Sequence, residues 1–408
     1  MTVKSIQTII EGDYIKVTAT CKIRYFAEDQ IYFKVHKKFE SYLCLDASPF
    51  ATVLLIPSMK RGEDLVINGT ISKKLYQNLL KLVEICSGWN VGLKPIKIKV
   101  KGFTPENQTP KYIASFFSGG VDSFYTYLKN KNNKDGKLTH LILVNGFDIE
   151  LENKKLWQIT KTRAEKIAKQ EGVELIEIET NMRLLVGDIF DWTYNYGACM
   201  GAIALLLRNG IKKAYIASSF TTEEQFPAGS MLEIDEYWGS DKLTIVHDGA
   251  EATRIEKVRK IASSPLVLEN LRVCYHNHDN PYNCGKCDKC LRTMIGLQIA
   301  GKLKDAKTFP HQIDLNLVKK LRIENIHTAE FHIENLNELK KLKIEPDLQT
   351  ILEQILQSYK EKNIIMDKFA EKAVYLDHIY TAGKLYKTFT RIKRLTNLNF
   401  TKTASPAT

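Results

Sequence analysis

Two short stretches of this 408-residue chain have the residue types and spacing that site chemistry requires. The first is the hexapeptide Ser-Gly-Gly-Val-Asp-Ser at residues 118–123. Adjacent glycines let a backbone approach an anion closely, and the free amides of a following helix attract negative charge. We therefore predict a phosphate-binding loop here. The alternative is a simple turn between a strand and a helix.

The second stretch contains half of the chain's eight cysteines. Its members are Cys274, Cys284, Cys287 and Cys290. Four thiolates within so short a segment predict a tetrahedral zinc ion, and a complete set of four sulfur ligands indicates a structural role. An iron-sulfur cluster is the rival, but no Cys-Pro follows at the expected place. His276 and His278 are nearby, and we expect them to be bystanders.

The elements around the loop predict an α/β fold. A short apolar run at 112–117 is typical of a buried strand, and 124–128 continues as a helix. Further strands are expected at 138–144, 174–179, 214–217 and 243–246, with helices at 153–171 and 194–207. This alternation predicts a doubly wound parallel sheet that binds its ligand at the carboxyl ends of its strands.

Two features follow the strand at 214–217. Residues 218–221 would lie at the carboxyl edge of the sheet, and 226–241 form a long loop of the kind that is often functional. Arg254 and Lys257 are one helical turn apart near a predicted helix start, from which they could reach triphosphate oxygens. An ordinary exposed basic face is an equally good interpretation. Cys199 is expected to be a core residue.

The loop resembles the signature of the PP-loop ATP pyrophosphatase superfamily, the adenine nucleotide alpha hydrolase-like fold, at every fixed position. No Lys-Ser/Thr pair follows the second glycine, so it is not a Walker A loop. The resemblance implies ATP and Mg²⁺, with attack of a substrate oxygen on the α-phosphorus and release of pyrophosphate. Asp122 would help to hold Mg²⁺ or cap the helix. The nucleotide-binding residues implied are Ser118, Gly119, Gly120, Val121, Asp122, Ser123 and Arg254.

The cysteine segment sharpens this resemblance. Residues 271–275 and 283–292 are similar to the zinc segment of the 7-cyano-7-deazaguanine synthase (QueC) family of PP-loop enzymes. That similarity covers about 112–301 and places Lys257 near a family lysine. The catalytic residues implied are Asp122, Ser123 and Lys257. The family's substrate-binding segment is absent, and residues 218–221 stand in its place. The resemblance therefore supports the family's adenylating chemistry more strongly than it supports the family's substrate.

The two ends of the chain differ from the middle. Residues 1–110 contain alternating, β-branched stretches and predict a β-rich accessory domain, which precedes the PP-loop domain at 111–301. Residues 302–408 predict a helical region with a basic tail that begins at Lys384. No apolar run suits a signal peptide or a bilayer span, so we expect a cytoplasmic protein without membrane partners. The formal charge of +12 is weak support for a nucleic-acid partner.

These observations favour an ATP-dependent carbon-nitrogen ligase that forms AMP and pyrophosphate. Its substrate would be a small carboxylate, a 7-deazaguanine being implied by the resemblance, and its product an amide or nitrile. One alternative is a tRNA-modifying PP-loop enzyme, which the basic charge favours. Another is a QueC-like component of an antiphage system of the Qat or CBASS type, which would modify or scaffold a partner protein. The sequence shows no general base.

Overall fold

The computed structural model describes residues 1–23, 28–105, 107–187, 189–275 and 282–362. The chain divides into two compact units, Met1–Asp314 and a second that begins at Leu315. The predicted division into 1–110, 111–301 and 302–408 stays a prediction. Strands on both sides of residue 110 nevertheless belong to one sheet within the first unit.

A ten-stranded sheet runs through the first unit, with the order β10-β9-β6-β7-β8-β3-β2-β1-β4-β5. The strands are β1 (Thr2–Glu11), β2 (Tyr14–Lys22), β3 (Asp29–His36), β4 (Leu65–Ser72), β5 (Ile98–Thr104), β6 (Tyr112–Phe116), β7 (His140–Asn145), β8 (Glu174–Thr180), β9 (Ile211–Ala217) and β10 (Thr244–Asp248). Neighbouring strands are antiparallel between β1, β2, β3 and β8 and parallel everywhere else. The fold is therefore α/β with a mostly parallel sheet, which confirms the predicted fold class.

Helices cover both faces of this sheet. They are α1 (Ser48–Arg61), α2 (Lys73–Ser87), α3 (Val121–Asn130), α4 (Lys154–Glu171), α5 (Met182–Gly187), α6 (Trp192–Leu206), α7 (Arg254–Ala262), α8 (Pro265–Asn270) and α9 (Asp288–Ile299). Apolar residues of α1, α2 and α6 join one core, whereas those of α3, α4, α7 and α9 join another. Among the described residues, no helix combines the length and the apolar character that a bilayer span needs.

The central strands are buried on both sides. In β6, Ile113 belongs to one core and Ala114 to the other, because successive side chains point to opposite faces. Leu141 and Ile142 of β7 divide in the same way. Full burial of each large aliphatic side chain contributes roughly 1.5–3 kcal/mol. This explains why 112–117 and 138–144 are almost continuously apolar.

The N-terminal segment adds five strands to the same sheet. The four stretches of this segment whose residue patterns predict strands are confirmed as β2, β3, β4 and β5. Ser72 caps α2 by accepting from Leu75 N at 3.2 Å. The apolar run at 51–57 lies in α1, which is buried almost throughout. Strand β3 joins β8 in the antiparallel direction over Phe33↔Thr180, Lys34↔Glu179 and Val35↔Ile178.

The second unit is helical where it is described. It contains α10 (Leu315–Lys319), α11 (Ile326–Leu342) and a further helical stretch at 346–362. These segments agree with the helices expected from the spacing of apolar residues at three and four. The part of the predicted helical region beyond residue 362, with its basic tail, lies outside the described residues.

Candidate functional site

The glycine loop connects β6 to α3, as predicted. Gly119 has a φ of +75°, which favours glycine, and Gly120 is the residue that precedes the first turn of α3. Ser118 Oγ accepts from Gly120 N at 3.4 Å and lies 3.5 Å from Ser123 Oγ. In the described chain, no side chain caps α3. The first amides of the helix and two hydroxyls therefore face the same loop, which suits an anion.

Asp122 is held by cations and does not cap its helix. Its Oδ1 lies 3.0 Å from Arg254 Nη1 and 3.7 Å from Lys257 Nζ, and its Oδ2 accepts from Ser219 Oγ at 3.3 Å. Burial acts to raise the pKa of the Asp122 carboxyl, but the positive charges of Arg254 and Lys257 outweigh it and lower that pKa. Asp122 is thus ionised and joins α3 to α7.

Replacement of Asp122 by asparagine should destabilise the protein at neutral pH by about 2 kcal/mol, because two largely buried cations lose their counter-charge. A carboxyl with a lowered folded pKa stabilises above its unfolded pKa of about 3.9 and loses that contribution as pH falls through the folded value. The stability difference between wild type and Asp122→Asn should therefore shrink below about pH 4. Denaturant unfolding from pH 7 to pH 3 measures it.

A matched control is Asp305→Asn, which removes an exposed pair with Lys302 and should change little. If the difference in unfolding free energy between wild type and Asp122→Asn is constant across this pH range, the ion pairs of Asp122 are not its cause.

Lys257 is fully buried, so it does not belong to an exposed basic face. Helix α7 begins with a capping box in which Glu256 N donates to Thr253 Oγ1 and Thr253 N donates to Glu256 Oε2. This start turns Arg254 and Lys257 toward α3. Lys257 Nζ donates to Ser218 O at 2.8 Å. Burial lowers the pKa of Lys257, and the Asp122 charge opposes that shift.

Arg272 is a residue of this site to which the sequence analysis gave no role. Its backbone N donates to Gly119 O at 2.8 Å, and its Cβ would lie 3.8 Å from a Cβ added at Gly119. The residue is only 5% exposed, yet Nε and Nη2 have no hydrogen-bond partner among the described residues. Buried guanidinium nitrogens without a hydrogen-bond partner are costly, and an anion bound to Nε and Nη2 would remove that cost. Its position two residues before Cys274 was the available signal.

Two more cations come from α9. Burial lowers the pKa of both Lys289 and Arg292, and the nearby charge of Arg254 lowers each further. Arg292 pairs with Asp288 at 3.2 Å, and Lys289 Nζ lies 5.0 Å from the centre of the Tyr275 ring. Positive side chains from α7, α9 and the segment after α8 thus collect near one loop.

The strand order explains why these groups meet. Strands β9 and β6 are parallel neighbours, so the segment after β9 lies beside the loop after β6. Ser218 and Ser219 accordingly contact Lys257 and Asp122. The expectation that 218–221 would lie at the carboxyl edge of the sheet is confirmed, and the structure also places this segment beside the loop.

The insertion after β9 packs on α6 through glycines. A Cβ added at Gly197 would lie 1.6 Å from Gly229 O, and one at Gly201 would lie 2.6 Å from Trp238 Cβ. The small residues of α6 were expected to let the helix approach the sheet. At Gly197 and Gly201, the small residues instead allow the insertion to pack closely against α6. Cys199 is buried, with a pKa that burial raises, in agreement with a core role.

The four cysteines of the second motif form one cluster. Their sulfur atoms all lie within 4.8 Å of one another, with 3.9 Å between Cys274 and Cys287 and 3.8 Å between Cys284 and Cys290. A tetrahedron with metal-sulfur distances of about 2.3 Å has edges of about 3.8 Å. The cluster could therefore hold a tetrahedral metal ion. His276 and His278 lie outside the described residues.

Asn283 connects this cluster to the glycine loop. Its Oδ1 accepts from Val273 N at 2.9 Å and Cys274 N at 3.2 Å, while its Nδ2 donates to Leu271 O at 2.9 Å. These bonds fix the backbone on both sides of Arg272. Cys287 is the residue that precedes α9, and Gly296 of that helix lies against Val258 of α7. The cluster thus holds the segments that carry Arg272 and the α9 cations.

The glycine loop, its cations and the edge formed by β6 and β9 make up one candidate site. All predicted site residues around Asp122 lie in it, and the cysteine cluster supports it from one side. The identity of its ligand must be argued from these residues, because no protein-family model, curated protein or solved structure matches the chain.

Proposed function

We propose that this chain binds ATP at residues 118–123 and activates a small carboxylate as an acyl-adenylate with release of pyrophosphate. The observation that carries the proposal is Arg272, whose backbone and Cβ lie against Gly119 and Gly120 and whose buried Nε and Nη2 have no hydrogen-bond partner among the described residues. A single phosphate is too small to meet Arg272 and the cations of α7 and α9 together. A polyphosphate is long enough to meet several of them.

Several features favour cleavage at the α-phosphorus. The loop lacks the lysine that a Walker A loop places on the β and γ phosphates. Its cations come from other elements, where they would neutralise charge that develops on a pyrophosphate leaving group. The order β10-β9-β6-β7-β8 reverses direction between β9 and β6, which is typical of doubly wound folds that bind nucleotides. The resemblance to PP-loop enzymes agrees with these features.

In this proposal, the amides of 119–123 and the hydroxyls of Ser118 and Ser123 hold the β and γ phosphates. Arg254 and Lys257 turn from Asp122 to phosphate oxygens, which frees the carboxylate. Mg²⁺, when bound there, would add charge neutralisation on the phosphates. A substrate carboxylate oxygen then forms a bond to the α-phosphorus as the bond to pyrophosphate breaks. An amine next displaces AMP to give an amide.

The cysteine cluster would hold zinc in this scheme. Four sulfur ligands leave no open position for a substrate, so the ion would be structural. The cluster also stands beside Arg272, so it would support nucleotide binding indirectly. We assign the carboxylate to the 7-deazaguanine class on the resemblance alone.

A tRNA-thiolating enzyme is less well supported, because such chemistry needs an accessible sulfur-carrier cysteine. The four cysteines outside the cluster are all buried. Burial also raises the pKa of Cys86 to about 12 and that of Cys21 to about 12, so both are poor nucleophiles at neutral pH. A role in an antiphage complex is compatible with the same adenylating chemistry. It would differ in that the activated group modifies a partner protein.

Incubation with ATP, Mg²⁺, ammonium and 7-carboxy-7-deazaguanine should yield AMP and pyrophosphate together with the amide or nitrile of the acid. Mass spectrometry and nucleotide chromatography measure these products. AMP is expected because the loop leaves the α-phosphorus open to attack. ADP as the only nucleotide product would contradict adenylation. Omission of the acid is the control, and it should suppress AMP formation.

A further inference from the structure

A buried polar cluster lies on the insertion between β9 and β10. His247 of β10 has a 3% exposed side chain, and its Nδ1 lies 2.7 Å from Asp235 Oδ2. Ser230 Oγ donates to the same oxygen at 2.6 Å. Burial raises the pKa of Asp235, and the hydrogen bond and charge of His247 oppose that shift. This is a buried histidine-carboxylate pair.

The pair determines which imidazole nitrogen is available. Asp235 Oδ2 accepts a hydrogen bond from His247 Nδ1, which favours the tautomer with its proton on Nδ1. Nε2 then carries a lone pair. It faces the Gln225 amide nitrogen at 3.4 Å, a long and weak contact. His247 therefore offers a basic nitrogen on the side away from Asp235.

His247 lines a small cavity near the glycine loop. The other lining residues include Gln225, Ser230, Tyr196, Ser218 and Ser219. The cavity has room for about one water-sized molecule. Ser219 Oγ also donates to Asp122, and Ser218 O accepts from Lys257. The cavity and the loop thus share the segment 218–219.

We propose that this cavity receives ammonia and that His247 is the general base for its attack on the acyl-adenylate, with Asp235 as a positioning residue. The inference rests on the proposed function. Nitrogen forms a bond to the acyl carbon and loses one proton to Nε2. The bond between that carbon and the phosphate oxygen breaks, and AMP leaves with the electron pair. The proton on His247 then passes to solvent.

The test separates adenylation from amide formation in His247→Asn. The asparagine amide nitrogen can take the place of Nδ1 and donate to Asp235, while no atom replaces Nε2. Exchange of labelled pyrophosphate into ATP, with 7-carboxy-7-deazaguanine as the acid, measures adenylation. Amide formation with ammonium measures the second step. We expect the ratio of amide formation to exchange to fall about 100-fold or more, the usual effect of a lost general base.

Two further measurements distinguish a catalytic from a structural role. Hydroxylamine is an unprotonated nucleophile at neutral pH, so it should restore acyl transfer in His247→Asn. Asp235→Asn should lower the same ratio, because the wrong tautomer would be favoured. His36→Asn is the control. That histidine lies in β3, accepts from Lys38 N through Nδ1, and should leave both reactions unchanged.

An unchanged ratio in His247→Asn would overturn this inference and leave the proposed function intact. If His247→Asn does not fold, His247→Gln is measured with the same expectation. A wild-type protein that neither exchanges pyrophosphate nor forms AMP with this acid would overturn the proposed function, and the present inference with it.

Discussion

Replacement of Arg272 by methionine should make the ligand-free protein more stable and at the same time remove most of its response to ATP. The guanidinium is buried, and Nε and Nη2 have no hydrogen-bond partner in the described part of the chain. Substitution of a buried ionic group by an apolar side chain of similar volume is often stabilising by about 1–4 kcal/mol. A thermal melt without nucleotide should therefore show a higher midpoint for Arg272→Met.

The same variant should bind ATP about 100-fold more weakly. Each lost hydrogen bond between a guanidinium and a phosphate removes about 1.5–3 kcal/mol, and about 1.4 kcal/mol corresponds to a factor of ten in affinity. The rise in melting temperature that ATP and Mg²⁺ cause in the wild type should largely disappear.

Arg322→Met is a suitable control, since Arg322 is exposed in the second unit and should affect neither melt. A destabilised Arg272→Met variant with a normal ATP response would show that the guanidinium serves the fold.

Loss of one ligand of the cysteine cluster should have the largest effect on stability. Cys287 is both a member of the cluster and the residue before α9. Structural zinc contributes on the order of 10 kcal/mol in small domains, which is comparable to the whole stability of a typical domain. Cys287→Ser should therefore unfold at least the segment that carries Arg272 and α9. Elemental analysis should find about one zinc per wild-type chain and none in the variant.

Cys44→Ser is the matched control, because Cys44 is buried far from the cluster in sequence and should leave the zinc content unchanged. A Cys287→Ser variant that melts normally without metal would contradict a structural role. Detection of iron and sulfide in the wild-type protein would show that the four cysteines hold an iron-sulfur cluster and not zinc.

Local features of this fold were predictable from the sequence. The strand-loop-helix unit around Gly119 and Gly120 is specified by neighbouring residues, as is the cap that Ser72 provides. The cysteine cluster was also predictable, since all four members lie within one short segment. In each case the partners that make the structure are close along the chain, so spacing and residue type suffice.

Other features depend on contacts between distant segments. Strand β1 was not anticipated, because its residues 7–10 are exposed and show no alternation of burial. The partners of Arg254 and Lys257 could not be assigned before α7 was placed against α3. Arg272 gains its role from the return of the chain to Gly119, and His247 from the fold of the insertion onto β10. Tertiary packing, and not local sequence, determines the structure and the partners of these residues.

The junction of β3 with β8 has a consequence for synthesis of the protein. Its paired residues are between 143 and 147 positions apart in sequence. At typical translation rates, β3 would wait roughly 7 to 30 s for β8 to emerge from the ribosome. During that interval it is an open edge strand, with Ile31, Phe33 and Val35 on its apolar face. Lys34 lies on the opposite face of the strand, where its charge would discourage pairing between nascent chains, so this junction sets the period of greatest aggregation risk.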